Sequence, residues 1–493
     1  MNELLGKIKL IYKRYENDAE GLERLKTYVM DDIQDMMDIY EEEKKEKKEI
    51  EEKIVEYISD FFYNNEIKYY SCIARNKEKI IIKYDDSDFE VCNTDSIWHE
   101  IITDLNPRTY PKLSKFKHDI AKRAIQQAMD NDILSCIPES STIQKTIDFL
   151  CPLFFKKREE VKYFLACIGD SFRKINQNIL YYVPEFSREF LTEINVYYND
   201  YFGEELMKQF KFKYRGYDYK NSRLIKFKKN IRNISYWNTF VKNNFFNILI
   251  VGLHYSTRYE GSENYIEKQS LDIRNKILYL KDRTQDNIFD EFKQEFLKKS
   301  EKDNLTQEEM YFLWKIFCEN KSMPMIIYKQ DFMNKVEKIS YNTTSDYLIG
   351  IRHFQSFWKE TIQDDQDGDY EISEINELFT IWLNGNKENT VNEYQLLDII
   401  NHFFPEVKIR GKNLLNISCT LWNKNNDIDK FLLNNKEKLK EKNHNLLEIY
   451  KLYCGYAGIN YTNIVSKKYF EKYMSQKVPK GYVKNNKVLK EYW

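Results

Sequence analysis

Three aspartates on alternate positions, Asp365, Asp367 and Asp369, are the first residues whose spacing invites metal chemistry. An EF-hand calcium loop carries carboxylates at its positions 1, 3 and 5, a glycine at 6 for the sharp turn and a bidentate glutamate at 12. Counted from Asp365, position 6 is Tyr370 and position 12 is Asn376, so the turn and the chelating carboxylate are both missing. The stretch is expected to be an acidic lead-in to a helix, whose N-terminus favours negative charge. A second acidic pair, Asp86 and Asp88, follows the strand-like IIIKY (80–84). It has no third ligand and no accompanying histidine motif, and DDS suits a hairpin turn.

Other chemistries find less support. The six histidines, at 99, 118, 254, 353, 402 and 444, include no H-x-x-x-H pair, and the eight cysteines are scattered without a C-x-x-C. The cysteines read as small buried hydrophobes in a reducing compartment. Gly6-Lys7 and Gly411-Lys412 are followed by Ile8 and Asn413, where a phosphate-binding G-x-x-x-x-G-K-[ST] loop needs Ser or Thr. The expectation is a protein with no catalytic residue, no metal site and no cofactor.

Cationic residues carry the legible chemistry. KQFKFKYRGYDYKNSRLIKFKKNIR (208–232) sets ten cations against Asp218 in a chain of formal net charge −1. Lys211, Lys213 and Arg215 alternate with Phe212 and Tyr214, which on a strand puts cations on one face and aromatics on the other. Cations neutralise phosphates and exposed aromatics stack on unpaired bases, so these five, with Lys220, Arg223, Lys226 and Lys228, are the candidate nucleic-acid-binding residues. The competing reading puts Phe210, Phe212 and Tyr214 in a core and leaves the cations merely solvated. Lys408, Arg410 and Lys412 form a second candidate group on a hairpin near the C-terminus. The lysine-rich tail (Lys467, Lys468, Lys472, Lys477, Lys480, Lys484, Lys487 and Lys490) reads as a solvated terminus.

The elements that must position these residues follow from composition and period. With 493 residues, 42% hydrophobic, and only 14 Gly and 8 Pro, the chain suits long helices and disfavours turn-dense sandwiches. The expected fold is mostly α with small β elements: a helical body, a small N-terminal antiparallel meander and C-terminal winged-helix-like units. Residues 1–62 read as a helical arm in which EEEKKEKKE (41–49) is a solvated connector; 63–130 as the meander (67–74, 80–84, 88–92) plus helices; 131–365 as a helical body with a basic hairpin near 208–227. Capping boxes are expected at Ser141/Gln144, Thr306/Glu309 and Thr390/Glu393.

From 366 the order helix (ISEINELFTIWL), turn, helix (VNEYQLLDIINHFF), hairpin (EVKIR, GKN, LLNISCTLW) is the outline of a winged helix, assigned to 366–433. ELFTIW (377–382) resembles EIYKLY (448–453) and TVNEYQLL (390–397) resembles IVSKKYFE (464–471), which places a second such unit with a basic tail at 434–493. The helix of the first unit has no Lys or Arg, so phosphate contacts would fall to Lys408, Arg410 and Lys412.

FWKETI (357–362), the two helices and LLNISCTLW resemble the C-terminal helix-turn-helix region of poxvirus-type primase-helicases, without the helicase phosphate-binding loop. IPESSTIQ, KYFLACIGDSF and IVSKKYFEKYM are similar to uncharacterised proteins of giant viruses, the nucleocytoplasmic large DNA viruses. The resemblance implies a viral nucleic-acid-binding protein acting in genome replication or expression, in the cytoplasmic viral factory or the nucleus. The alternative is a helical protein–protein scaffold with winged units as docking modules. Tyr219–Ile225 fits the Y-x-x-x-x-L-Φ pattern by which translation-factor scaffolds grip cap-binding factors. The longest apolar run, Phe245 to Leu253, is too short for a bilayer, so no membrane partner is expected.

Overall fold

The computed structural model describes residues 2–63, 67–75, 77–85, 88–228, 234–300, 303–337, 343–383, 391–460, 463–484 and 487–493. The protein is mostly helical with small sheets, as its low Gly and Pro content implies. It forms two compact units: residues 1–284 with 318–326, and residues 285–317 with 327–493. The boundary after Thr284 falls within the stretch 131–365.

In the first unit the meander forms as expected. Strands Ile67–Ile73, Lys79–Asp85 and Asp88–Cys92 pair antiparallel in that order. One face (Tyr69, Ile81) joins the C-terminal half of helix Ile33–Tyr63, where Ile54, Tyr57, Ile58 and Phe61 are buried; the other (Tyr70, Ile82, Phe89) belongs to a larger core built on helices Arg158–Arg173 and Ile234–Arg258. Those two helices cross at their glycines. A Cβ on Gly169 would stand 2.3 Å from the carbonyl oxygen of Gly252, and one on Gly252 would stand 2.8 Å from that of Leu165. Next to the crossing the buried Asp170 carboxylate accepts from the Ser256 hydroxyl (2.6 Å), Asn176 Nδ2 (2.7 Å) and the Ser262 backbone N–H (2.8 Å).

The expected basic hairpin is not one. Strand Phe210–Lys211 and strand Ser222–Leu224 both pair parallel to Leu180–Tyr182, one on each side of it. In the connection between them Asp218 Oδ1 accepts from Lys220 N–H (3.0 Å), and Leu180–Tyr182 lies between the two strands. The helix expected to start with a Ser141/Gln144 cap begins at Ser140 after Glu139, and Gln144 accepts from Arg158 instead.

The second unit repeats one topology. Helix Ile349–Thr361, strand Ile362–Glu371, helices Ile372–Trp382 and Glu393–Phe403, and strands Lys408–Arg410 and Asn413–Cys419 form one repeat, its last strand lying between the other two. The aspartate-rich segment is therefore a strand, not a loop. Tyr370 is buried, and Gly368 lies so close to the partner strand that a Cβ would stand 2.2 Å from the Ile417 oxygen. Helix Lys424–Asn434, strand His444–Asn445, helices Leu446–Asn460 and Lys467–Lys477, and strands Val483–Lys484 and Lys487–Val488 follow the same order with the same strand arrangement. Upstream, helix Gln285–Phe296, strand Lys298–Lys299, helices Gln307–Lys321 and Lys329–Val336, and strand Thr343–Thr344 begin and end alike, the two strands pairing antiparallel.

The first helix of each pair shows the repeat in sequence: Glu309-Met310…Leu313-Trp314, Glu374-Ile375…Leu378-Phe379 and Glu448-Ile449…Leu452-Tyr453. Met310, Ile375 and Ile449 are buried, as are Trp314, Phe379 and Tyr453. The counterpart of EIYKLY is thus EINELF (374–379), three residues before the ELFTIW alignment; the second pairing, TVNEYQLL with IVSKKYFE, is in register. Thr390 lies outside the described residues, and the cap of its helix is the Asn392/Gln395 box.

The glycine crossing generates a stability prediction. Gly169→Ala pushes a methyl against backbone that has no room to yield, and is expected to lower unfolding free energy by about 3 kcal/mol in urea titration; Gly6→Ala, with open space around its Cβ position, is expected to be neutral.

Candidate nucleic-acid interface

Each repeat begins its second helix with a reciprocal cap. Thr306 Oγ1 accepts from Glu309 N–H (3.1 Å) while Glu309 accepts from Thr306 N–H (2.8 Å); Asn445 and Glu448 do the same at 2.7 and 3.1 Å, and Glu374 accepts from Glu371 N–H (2.8 Å). In two of the three the capping glutamate also holds the repeat that follows. Arg352, in the first turn of helix Ile349–Thr361, donates from Nε to Glu309 (2.6 Å), from Nη1 to Asp303 (3.0 Å) and from Nη2 to the Asn304 carbonyl (3.0 Å). Lys424, the first residue of helix Lys424–Asn434, donates to Glu374 (2.5 Å) and to the Asp369 carbonyl (3.0 Å), with Tyr370, Tyr469 and Trp422 rings 4.2, 4.8 and 5.1 Å away.

The two contacts differ in their electrostatics. Burial by itself would raise the Glu309 carboxyl, but the Arg352 guanidinium and the Thr306 N–H outweigh it and hold the group below the ordinary carboxylate range. At the second contact burial dominates: it pushes Glu374 up and Lys424 down, against their mutual attraction.

This framework orients the third helices differently. In the middle repeat, His402 Nε2 lies 3.0 Å from the Glu308 carbonyl and Nδ1 2.8 Å from Lys315 Nζ, and the His402 and Phe403 rings stand 5.0 and 5.2 Å from Phe312. The C-terminal end of Glu393–Phe403 is therefore committed to the preceding repeat. Its hairpin exposes Lys408, Arg410 and Lys412, with Lys412 3.4 Å from Glu393.

In the last repeat, Ser466 caps helix Lys467–Lys477, and Tyr469, Phe470 and Met474 are buried, with Phe470 5.2 Å from the Tyr453 ring. The opposite edge leaves Lys467 and Lys468 exposed. Lys472 pairs with Asp369 (3.2 Å) and Lys477 with Asp429, so those two hold structure. Exposed Lys480 opens a short helical turn after the helix, the hairpin that follows adds exposed Lys484 and Lys487, and Lys490 comes next. Lys467 makes only an exposed pair with Glu471 at 3.6 Å, and among the described residues Lys468, Lys480, Lys484 and Lys490 make no ion pair. These are the tail lysines read from the sequence as a solvated terminus, and they are exposed; the matching N-cap positions Asn392 and Ser466 are the sequence signal that puts Lys467 and Lys468 in the first turn of a helix.

The 208–228 candidates do not converge. Arg223 is 3% exposed and binds Glu263 through Nε and Nη2 at 2.9 and 2.5 Å, beside the buried Leu224 and Ile225. The Y-x-x-x-x-L-Φ stretch is therefore a turn at 219–221 leading into the buried strand Ser222–Leu224, with its Leu224 and Ile225 in the interior. Lys228 donates to the Pro152 carbonyl (2.7 Å), and half-buried Lys226, its ammonium pushed down by burial, lines a cavity with Ile273 and Ile277. Phe212 is half-buried beneath the Arg188 guanidinium (4.3 Å), Tyr214 packs 5.6 Å from the Tyr219 ring, and Lys211 Nζ donates to the Lys208 carbonyl (2.8 Å). Lys213, Arg215 and Lys220 remain exposed; Lys229 and Arg232 lie outside the described residues.

Asp88 binds Lys145 (2.6 and 2.7 Å) and Asn247 Nδ2 (2.6 Å), tying the meander to the helices; Asp86 lies outside the described residues. Among the described residues no group of three or more His, Cys, Asp or Glu is placed to hold a metal ion, and no helix is long and apolar enough to cross a membrane. Comparison with known families, curated proteins and solved structures finds no match to the chain.

Two predictions follow the contacts between repeats. Lys424→Met leaves a buried carboxylate without its cation and is expected to cost about 3–5 kcal/mol in chemical denaturation, much of it recovered when Glu374→Leu is added. Glu309→Gln is expected to lower stability fully above pH 4.5, the ordinary value of the group. A depressed carboxylate contributes above its unfolded pKa and loses that contribution as pH falls through the folded one, so the deficit should vanish in acid melts.

Proposed function

We propose that the protein binds nucleic acid through its last repeat, a winged-helix unit in which Lys467–Lys477 is the reading helix and 483–488 the wing. The observation that carries this reading is the exposed set Lys467, Lys468, Lys484 and Lys487 on a helix and hairpin of one small unit, in a chain of net charge −1. The middle repeat, also read as a winged helix, has no Lys or Arg on Glu393–Phe403 and packs that helix's end on its neighbour. It serves as a spacer that holds the terminal unit, which favours a scaffold role for the upstream repeats within a nucleic-acid-binding protein. On the resemblance to large DNA virus proteins, we infer that this binding serves replication or expression of a viral genome.

Fluorescence anisotropy with single-stranded DNA, duplex DNA and RNA at low salt tests the reading. Affinity is expected to fall steeply as salt rises, and charge reversal at Lys467 and Lys468, or at Lys484 and Lys487, to weaken it by about tenfold or more for every sequence tried. Reversal at Lys213 and Arg215 is expected to change it far less. No binding at low salt by the folded chain, or binding indifferent to the four lysines, rejects the assignment.

A further inference from the structure

The N-terminal arm presents an apolar surface that its own chain leaves uncovered. Helix Asn2–Arg14 carries Leu4, Leu5, Ile11 and Tyr12 on one face, all exposed, with Ile8 between them. Their spacing of i, i+1, i+7 and i+8 is that of a helix seam made to be buried. Helix Ile33–Tyr63 is anchored in the core through its C-terminal half, yet its first two turns expose Ile33, Met36, Met37 and Tyr40 on a second such face, at 47, 69, 51 and 57%. Exposed apolar residues gathered on one helix face in this way mark an interaction surface.

The two faces are rimmed by opposite charge. Asn2–Arg14 bears Lys7, Lys9, Lys13 and Arg14 against Glu3, a net +3, whereas residues 31–43 bear seven carboxylates and no cation. Each face therefore offers what the other lacks in charge while matching it in apolar character. A partner built like either helix is already encoded in the chain, and reciprocal exchange between two copies buries both faces of both arms under a two-fold axis.

We propose that the arm is a homodimerisation surface in which the basic helix Asn2–Arg14 of one copy docks on the acidic 31–43 segment of a second copy, and the reverse. The charged connector 41–49 then sets the distance between the dimer seam and the globular unit of each copy.

Light scattering coupled to size exclusion on the full chain tests this. A mass of twice 60.0 kDa is expected at micromolar concentration. The pair Leu4→Glu and Ile11→Glu is expected to give single chains with unchanged thermal unfolding, since neither residue lies in the core. Lys9→Glu with Lys13→Glu, and separately Asp35→Lys with Asp38→Lys, are each expected to raise the dissociation constant about tenfold, and all four together to restore it. A wild-type mass of one chain, including a monomer whose arm helices fold on each other, overturns the proposal. So does a dimer that survives the seam substitutions or is not restored by the combined charge exchange.

Discussion

A carboxylate at the third position of a helix does two jobs in the second unit, and the arrangement of its repeats depends on both. Glu309 and Glu374 close the first turn of their own helices by accepting backbone N–H groups, and the same side chains receive Arg352 and Lys424 from the repeat that follows. The helix dipole and the added cation act on one group, so folding of a repeat prepares the acceptor that seats its successor. Arg352 reaches this acceptor with a planar fork that also satisfies Asp303, and the pair stays firmly ionised. Lys424 reaches it as a point charge sunk among three rings, where burial opposes both partners and cation–π attraction offsets part of the cost.

A comparable economy governs the first unit, where polar groups are consumed internally. The Gly169–Gly252 crossing brings two helix backbones within reach, and Asp170 beside it is satisfied by a hydroxyl, an amide side chain and a backbone N–H. Arg223 is spent on Glu263 and Lys145 on Asp88. In a chain whose acids and bases balance, a run rich in cations is often the half of a set of ion pairs whose other half lies far along the sequence. Local net charge is then a poor guide to a surface: in the 208–228 segment Arg223 is held by Glu263, Lys211, Lys226 and Lys228 donate to carbonyl oxygens, and Phe210 and Phe227 are buried in the core.

What remains unspent is unevenly distributed. The lysines of the last helix and hairpin stay outside the pairing that holds Lys472 and Lys477, and the arm keeps its apolar seams in solvent. Both lie outside the contacts that join the described repeats and outside the core that anchors the C-terminal half of helix Ile33–Tyr63. The two helices thus differ in what their ends meet: the C-terminal end of Glu393–Phe403 packs on Phe312 beside Lys315, whereas the first turn of Lys467–Lys477 keeps Lys467 and Lys468 exposed.

Much of the architecture was legible without coordinates because it is local. The meander, the Thr306/Glu309 cap, the helix pairs near the C-terminus and the TVNEYQLL/IVSKKYFE correspondence all rest on period, capping chemistry and turn residues within a few positions of one another. The acidic strand at 362–371 was hidden because its pairing partner, 413–419, is distant and because Gly368 and Tyr370 reveal their purpose only against Ile417 and Trp422. The upstream repeat was hidden because its strands are two residues long. Sequence alone determined the helical class and the Thr306/Glu309 cap, since those follow from each residue's own backbone and neighbours, whereas the starts at Ser140 and Glu393 departed from the caps expected for them. Which cations are left for a ligand was decided only in three dimensions, because a charge is silenced by whatever carboxylate or carbonyl folding brings to it, and Glu263 lies forty residues from Arg223.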